Sequence, residues 1–447
     1  MSNIFSDDCF IKFNHIKFPD LSYNFKRKKY TNRKKITNSY NSFKKRKIES
    51  KLSLFPYDIS KLIITFLSDI DIVYYILVFE IENYKLISEL KIQSINCIDN
   101  DLKHISQLNT LRFLDLSNSK IIKPDFELLI DLKLEYLNLT NCHLNNTSID
   151  SISKITNLEY LNLSRCSLKQ ISLINLTNLT KLRYLILSEC DMVESKLIWL
   201  KQLKKLRYLD LSGNTELEIG PESVIEFKNL SYIDLKLTNI DDYSLICISK
   251  LNKLIYLNIY GCDNITNIGI KFLLKLINLK YLNLSFCTKI THFEIYLTNL
   301  EYLSISNCYS INNYNTLKYL TNLQKLTITE SRINDHTLSN LKKLNKLTHL
   351  DISSCQQIKG EGFKYLPQSL LFLNISFCLN IKNNTLQSLP SNIERLEMYF
   401  CQNSIEPLSS LTKLNYLDIR RSSYESHILK EIINKFPKNV IIKHECF

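Results

Sequence analysis

The stretch LKYLNLSFC, at residues 279–287, decides the fold because close copies of it recur along most of the chain. LEYLNLTNC stands at 134–142 and LEYLNLSRC at 158–166. The shared pattern, L-x-x-L-x-L-x-x-C/N, occurs in fourteen copies that begin 21 to 25 residues apart. The copies begin at Leu111, Leu134, Leu158, Leu182, Leu206, Leu230, Leu254, Leu279, Leu300, Leu323, Leu347, Leu370, Ile393 and Leu414. Such constant phasing indicates one structural unit repeated many times.

Each copy predicts a short strand at its central L-x-L, with the leucines pointing inward and their neighbours pointing outward. One coil cannot bury its own apolar face, so stacked coils must share a continuous core. The pattern is identified as a leucine-rich repeat. It predicts an α/β fold, a leucine-rich-repeat solenoid over 91–425 with a curved parallel sheet on the concave side and a helical or irregular convex side. A degenerate first coil is expected at 89–110, and a C-terminal cap at 426–447 with a short strand at 440–443.

Cysteine occupies the ninth repeat position in nine copies, which accounts for most of the thirteen cysteines. We interpret it as a small polar group that satisfies backbone atoms at a turn, because no C-x-x-C pair suggests a metal or redox site. Several copies continue as Cys287-Thr-Lys-Ile290-Thr291 does. This continuation resembles the cysteine-containing class of leucine-rich repeats that is typical of intracellular F-box proteins.

The segment before the repeats, residues 51–90, predicts two or three short amphipathic helices. Its order of residues resembles an F-box: a Phe-Pro start, an acidic-apolar pair at Asp58-Ile59, an apolar helix and a Leu-Val step. The resemblance implies that this module binds a Skp-family linker protein. The residues assigned to that contact are Phe55, Pro56, Ile59, Ile63, Leu67, Ile76, Leu77 and Val78.

Together the two resemblances imply a substrate-recognition adaptor of a cullin-type ubiquitin ligase, a monomer within a larger complex. The solenoid would bind a target protein, and the adaptor itself would perform no chemistry and need no cofactor or metal. The alternative is a repeat scaffold without a link to ubiquitin, whose N-terminal helices only cap the solenoid. The eight histidines form no ligand or catalytic motif, and the six glycines form no phosphate-binding loop.

Positive charge is concentrated near the N-terminus. The chain has a formal net charge of +13, and eleven of its basic residues lie between Lys26 and Lys47 without an acidic one among them. We expect residues 1–50 to form a disordered basic arm, with nuclear import or nucleic-acid contact through 26–47 as the sharper alternative. Met1–Phe18 lacks a secretory apolar core, and no segment predicts a membrane span, so a cytoplasmic or nuclear protein is expected.

Two rows of residues are expected on the concave side. The third repeat position is Tyr in nine copies, and the fifth is mostly Asn or Asp. These rows are either a binding surface or a by-product of repeat duplication. The last copies depart from them, and the mixture of arginines and aromatics there has the composition of an interaction hot spot. An acidic target is expected at this end. The residues assigned to target binding are Lys325, Phe377, Arg395, Tyr399, Phe400, Arg420 and Arg421.

Overall fold

The computed structural model describes residues 89–91, 102–103, 105–119, 126–220, 227–421 and 431–444. The predicted basic arm lies outside these residues. So do all of the side chains assigned to linker binding, from Phe55 to Val78.

Sixteen short strands form a single parallel sheet in the described residues, in the same order as in the sequence. Each strand has three residues, and the fourteen strands within repeat copies begin at the third position of their copy. The strands are β1 Glu89–Lys91, β2 Phe113–Asp115, β3 Tyr136–Asn138, β4 Tyr160–Asn162, β5 Tyr184–Ile186, β6 Tyr208–Asp210, β7 Tyr232–Asp234, β8 Tyr256–Asn258, β9 Tyr281–Asn283, β10 Tyr302–Ser304, β11 Lys325–Thr327, β12 His349–Asp351, β13 Phe372–Asn374, β14 Arg395–Glu397, β15 Tyr416–Asp418 and β16 Ile441–Lys443. The predicted strand at 440–443 is thus present as β16, and the expected degenerate first coil begins with β1.

Neighbouring strands pair in register, so equivalent repeat positions lie side by side. Tyr232 pairs with Tyr256, and Asp210 pairs with Asp234. Backbone hydrogen bonds continue beyond the strands: the Leu116 N–H donates to Asn138 at 2.9 Å, and the Asn118 N–H donates to Thr140 at 2.7 Å. Each outward position of the repeat therefore forms a row that runs across the sheet.

The chain returns to the next strand through short helices, as the repeat pattern predicted. The described α-helices are α1 Asn146–Ser153, α2 Asp242–Ile248, α3 Asn267–Leu273 and α4 Asp335–Ser339. Capping boxes at Asn145, Asp241 and Asn334 begin α1, α2 and α4, because each of these side chains accepts a hydrogen bond from the third helical N–H. Most other coils return through 3-10 helices: Phe126–Leu129, Ile174–Asn178, Glu194–Lys196, Ile198–Gln202, Asn315–Tyr319, Asn340–Lys343, Phe363–Tyr365, Asn383–Ser388 and Glu406–Ser410.

The core is one continuous column of apolar side chains. The first, fourth and sixth repeat positions fill it, as Leu279, Leu282 and Leu284 do, each completely buried. The column extends from Leu102 to Phe436. Because these positions point inward, the third and fifth positions project on the opposite side of the sheet, and we call that side the outer sheet face. Among the described residues no helix is long and apolar enough to cross a bilayer.

The eighth repeat position adopts a left-handed backbone conformation in all fourteen copies, with φ between 48° and 74°. Glycine occupies it only as Gly213 and Gly261. Elsewhere, the position holds residues such as Leu237 and Phe286, for which this conformation costs about 1 kcal/mol or more each. The N–H of this residue donates to the next coil, as that of Gly261 does to Ser285 at 2.8 Å. Pairing between coils therefore maintains a backbone conformation that most side chains disfavour.

Replacing Gly261 with valine should lower the free energy of unfolding by about 2 kcal/mol, because a β-branched residue is strained at this φ of 69°. A Cβ atom there would also lie 2.6 Å from Leu237 Cδ2, so that side chain would have to move. Gly261→Asn is the matched control, since asparagine tolerates this conformation and occupies it as Asn141. Denaturant unfolding measures both changes, and equal losses in the two variants would contradict the explanation.

Candidate protein-binding face

Nine aromatic rings form a row across the outer sheet face, one on each strand from β2 to β10. Ring centroids lie 3.8 Å apart between Phe113 and Tyr136 and 4.2 Å apart between Tyr281 and Tyr302. The row is stacked throughout except around Tyr184, whose centroid lies 6.3 Å and 6.0 Å from those of its two neighbours. Eight of the nine tyrosines expected in the concave row, together with Phe113, therefore form one row of packed rings, which we call the tyrosine ladder.

Packing within the tyrosine ladder changes the acidity of its hydroxyl groups. Desolvation is the largest cause, and it raises the pKa of Tyr136, Tyr208, Tyr232, Tyr256 and Tyr281. These five hydroxyl groups consequently stay protonated over the physiological range. The ladder offers a partner neutral hydroxyl donors and acceptors on a rigid apolar base.

The asparagines and aspartates of the fifth position have a structural role that their pattern alone did not reveal. In ten copies the side-chain Oδ1 accepts a hydrogen bond from the backbone N–H two residues later, which closes an Asx turn after the strand. The residues are Asp115, Asn138, Asn162, Asp210, Asp234, Asn258, Asn283, Asp351, Asn374 and Asp418. This turn explains why Asn and Asp exchange freely at the position, because each supplies the same acceptor.

Two neighbouring fifth positions, Asp210 and Asp234, are both aspartate. Asp234 is only 9% exposed, and its Oδ2 accepts a hydrogen bond from Asn258 Nδ2 at 3.0 Å. Burial, followed by the charge of Asp210, raises the pKa of Asp234 to about 7. Burial also raises the pKa of Asp210. The centre of the outer sheet face therefore carries two neighbouring carboxyl groups that ionise less readily than ordinary aspartates.

The ninth-position cysteines confirm the interpretation as small polar turn residues. Each Sγ donates to the carbonyl of the sixth-position residue one coil earlier, as Cys190 does to Leu163 at 3.0 Å and Cys262 to Leu235 at 3.2 Å. Burial raises the pKa of these thiols, to about 12 for Cys190 and about 11 for Cys262. Such thiols are poor nucleophiles at neutral pH. In the described part of the chain no three potential metal ligands come together.

Most of the residues assigned to target binding do come together at the C-terminal end of the sheet. The Phe377 ring centroid lies 5.1 Å from that of Tyr399 and 5.5 Å from that of Phe400. The guanidinium groups of Arg420 and Arg421 lie 5.7 Å and 5.8 Å from the Tyr399 centroid. These five residues form the C-terminal cluster. Phe377 and Phe400 remain 41% and 40% exposed within it.

The arginines are less available than the sequence suggested. Arg420 Nη2 donates to Asp418 Oδ2 at 2.6 Å, and Arg395 Nη2 donates to Glu397 Oε1 at the same distance. These intramolecular pairs offset part of the positive charge on which the expectation of an acidic target rested. Lys325 lies on β11, three strands before β14, and is not part of the cluster.

Comparison with known families supports the repeat assignment. Profiles described as "Leucine Rich Repeat" match residues 133–155 and 157–179, and a further "Leucine Rich repeat" profile matches 343–366. These matches coincide with repeat copies in the structure, so the prediction of leucine-rich repeats is confirmed. No curated protein matches the chain.

Solved structures with a similar backbone include bacterial repeat proteins. An internalin of Listeria monocytogenes shares 20% identity, with a TM-score of 0.43, over 85% of this chain and 95% of its own. A leucine-rich-repeat protein of Leptospira interrogans shares 19% identity, with a TM-score of 0.49, over 82% and 98% of the two chains. The functional domain of InlJ from Listeria monocytogenes, which includes a cysteine ladder, shares 16% identity, with a TM-score of 0.45, over 75% of this chain and 65% of its own.

Proposed function

We propose that this leucine-rich-repeat protein is a protein-binding scaffold whose outer sheet face receives an extended segment of a partner. The tyrosine ladder is the observation that carries the proposal. Tyrosine covers a large contact area at low cost in conformational entropy, and a stacked ladder has lost most of that entropy before binding. A chain that runs along the ladder could contact one ring per coil.

The C-terminal cluster is our candidate for the strongest contact with the target. It combines exposed phenylalanines with tyrosine and arginine, the residue types that dominate interface energetics. Phe377 and Phe400 are large apolar side chains that stay 41% and 40% exposed. Such exposure gains little for the free protein, which favours a role in binding.

Phe377→Ser together with Phe400→Ser should reduce capture of a specific partner by about tenfold or more, as expected for hot-spot residues. The measurement is quantitative mass spectrometry of proteins captured by the full chain from an extract of the producing organism. Tyr243→Ser with Ile268→Ser is the matched control, because these side chains are 53% and 66% exposed on α2 and α3. Equal loss in both variants, or loss in neither, would contradict binding at the C-terminal cluster.

We further propose that the scaffold serves as a substrate adaptor of a cullin-type ubiquitin ligase, through the F-box resemblance of residues 51–90. This role requires a location in the cytoplasm or nucleus. The supporting observation is the sequence order around Phe55-Pro56 and Ile63, placed directly ahead of the repeats. The competing proposal is a scaffold without a ubiquitin link, in which residues 1–50 provide a basic tether to nucleic acid.

A purified Skp-family protein should bind the full chain, and Pro56→Ala combined with Ile63→Asp should abolish that binding. A charged residue at Ile63 would disrupt the apolar helix face that the resemblance assigns to the linker. The direct measurement is a pull-down between the two purified proteins. The Phe377→Ser, Phe400→Ser variant should bind the Skp-family protein normally. If folded wild-type chain does not bind, the scaffold alternative is favoured.

A further inference from the structure

The C-terminal coils show how this repeat holds a guanidinium group. Arg395 occupies the third position of β14, where its Cζ lies 4.4 Å from the Tyr416 centroid and 5.6 Å from the Phe372 centroid. Its Nε and Nη2 both donate to Glu397 Oε1, at 3.0 Å and 2.6 Å, and Glu397 is the fifth-position residue of the same strand. Two aromatic rings and a carboxylate, on adjacent rows, thus form a small binding site for a guanidinium group. In this coil the chain's own Arg395 occupies it.

The central coils present the same two rows without such an arginine. On β6 and β7 the third positions are Tyr208 and Tyr232, and the fifth positions are Asp210 and Asp234. The registered pairing of these strands places the two carboxyl groups side by side in the row next to the stack, in which the centroids of Tyr208 and Tyr232 lie 3.9 Å apart. The aromatic row and the acidic row are therefore both present here, and in the described structure no arginine is bound to these carboxyl groups.

The charges around the pair leave it negative. Lys236 is the nearby cation that acts on both carboxylates, and its Nζ lies 5.1 Å from the Tyr260 centroid. Arg207 precedes β6 and so lies at the opposite end of that strand from Asp210. When both carboxyl groups are ionised, they outnumber the one neighbouring ammonium group and leave a negative charge on the outer sheet face. That arrangement is complementary to a basic side chain on an otherwise apolar or neutral segment.

Asp418 provides an internal comparison for the effect of an arginine. Burial would raise the pKa of Asp418, but the hydrogen bonds from Arg420 outweigh it and lower the pKa below its usual value. Within the described residues Asp234 accepts hydrogen bonds from the Lys236 N–H and from Asn258 but from no arginine, and burial together with Asp210 raises its pKa to about 7. A guanidinium group from outside would reverse that effect at Asp234 as Arg420 does at Asp418.

We propose that the outer sheet face at β6 and β7 binds an arginine side chain of the partner segment, with its guanidinium group held by Asp210 and Asp234 against the tyrosine ladder. This inference rests on the proposed function and adds to it the chemistry of the partner. Arginine is favoured over lysine because its planar fork can donate to both carboxylates at once and can lie against an aromatic edge. The partner segment is therefore a basic one at this point of the sheet.

The test uses the full chain and three fluorescein-labelled peptides of equal length. Each peptide has Gly-Ser spacers between charged residues, which are arginine in the first, lysine in the second and glutamate in the third. Binding is measured by fluorescence anisotropy at neutral pH and physiological salt. The wild-type chain should bind the arginine peptide at least about threefold more tightly than the lysine peptide, and should bind the glutamate peptide no better than either.

Two variants locate the binding. Asp210→Asn with Asp234→Asn should weaken binding of the arginine peptide by about tenfold, whereas Asp131→Asn with Glu294→Gln removes the same charge from exposed positions elsewhere and should change it less than about twofold. Tyr208→Arg should weaken it as strongly as the first variant does. Its guanidinium group would stand two residues before Asp210, as Arg395 does before Glu397, and would fill the binding site from within.

The outcomes separate this inference from the proposed function. Equal binding by wild type and the Asp210→Asn, Asp234→Asn variant would overturn the arginine binding site. Equal loss in the Asp131→Asn, Glu294→Gln control would also overturn it, because the attraction would then be a property of net charge. Partner capture that depends on Phe377 and Phe400 would still support the scaffold in either case.

Discussion

Replacing Asn214 with alanine should lower the free energy of unfolding by about 4 kcal/mol. Asn214 stands at the ninth position of its copy, is 1% exposed and makes four hydrogen bonds to backbone. Its Oδ1 accepts from the N–H groups of Cys190 and Met192, each at 2.9 Å. Its Nδ2 donates to the carbonyls of Leu187 at 2.9 Å and Leu211 at 2.7 Å. Alanine would leave four buried backbone groups without partners, and each costs about 1 kcal/mol or more.

Asn214→Cys is the informative companion to this substitution. Cysteine occupies the same position in nine other copies, where its thiol donates to one carbonyl of the preceding coil. It should recover about 1 kcal/mol of the loss, because it can replace only the bond to Leu187. Cys262→Ala removes a single thiol donor and a small volume, so it should cost only about 1 to 2 kcal/mol.

Tryptophan fluorescence during urea unfolding would follow these changes locally. Trp199 is the single tryptophan of the chain, is 5% exposed and lies in the coil just before Asn214. Hydrogen exchange of the amides of Cys190 and Met192 would report the same event at the atoms concerned. A loss below about 1.5 kcal/mol for Asn214→Ala would show that water or a shifted backbone satisfies the four groups.

The repeat phase made the main features of the fold predictable from the sequence. Inward leucines at fixed spacing determine where each strand lies, and constant spacing determines that equivalent positions stack. The cysteine role was also predictable, because a small buried polar residue at a turn has few other uses. Strand position, stacking and the cysteine role are features that most copies share, so they do not depend on any one side chain.

Features that depend on one neighbour in space were not predictable in the same way. The Asx turns require a side-chain oxygen within about 3 Å of a particular N–H, and the pattern of Asn and Asp does not distinguish that role from a binding surface. Likewise, the sequence did not show that Arg420 pairs with Asp418, and this pairing offsets part of the positive charge at the C-terminal end. A row of Asx residues at the last position of most strands was the signal that could have identified the turns.

The left-handed backbone at the eighth repeat position was also not predictable from the sequence. Glycine is the usual marker of positive φ, yet only two of the fourteen copies contain it there. Residues such as Arg165 and Phe400 give no local sign of that conformation. Pairing with the next coil overrides the local preference of the backbone, so the conformation becomes visible only when the coils are stacked.

Asp234→Asn should remove a pH dependence of stability that the wild-type chain shows between about pH 4 and pH 7. The pKa of Asp234 is raised to about 7 in the folded protein by burial and by Asp210, and it is about 3.9 in an unfolded chain. Between these values the folded state keeps a proton that the unfolded state releases. The wild-type free energy of unfolding should therefore fall as the pH rises through this window, by about 3 kcal/mol from this carboxyl group.

The asparagine variant keeps the Asx turn, since Oδ1 can still accept from the N–H of Lys236, as the asparagines at Asn138 and Asn283 do in their own copies. It loses the acceptor for Asn258 Nδ2, which costs about 1 kcal/mol at every pH. Asparagine cannot ionise, so the variant should be slightly less stable than wild type at pH 4.5. It should become more stable than wild type by about 2 kcal/mol at pH 8.

Urea unfolding, monitored through Trp199 at half-unit steps of pH, measures both free energies of unfolding. The curves of wild type and Asp234→Asn against pH should cross. Asp131→Asn, at an exposed position outside the outer sheet face, controls for the loss of one negative charge from the whole protein. Parallel curves for wild type and Asp234→Asn would contradict a raised pKa at Asp234. They would also mean that the central carboxylates are already compensated by another charge. In that case the negative character assigned to β6 and β7 would be wrong as well, because it requires that the two carboxylates outnumber the cations beside them.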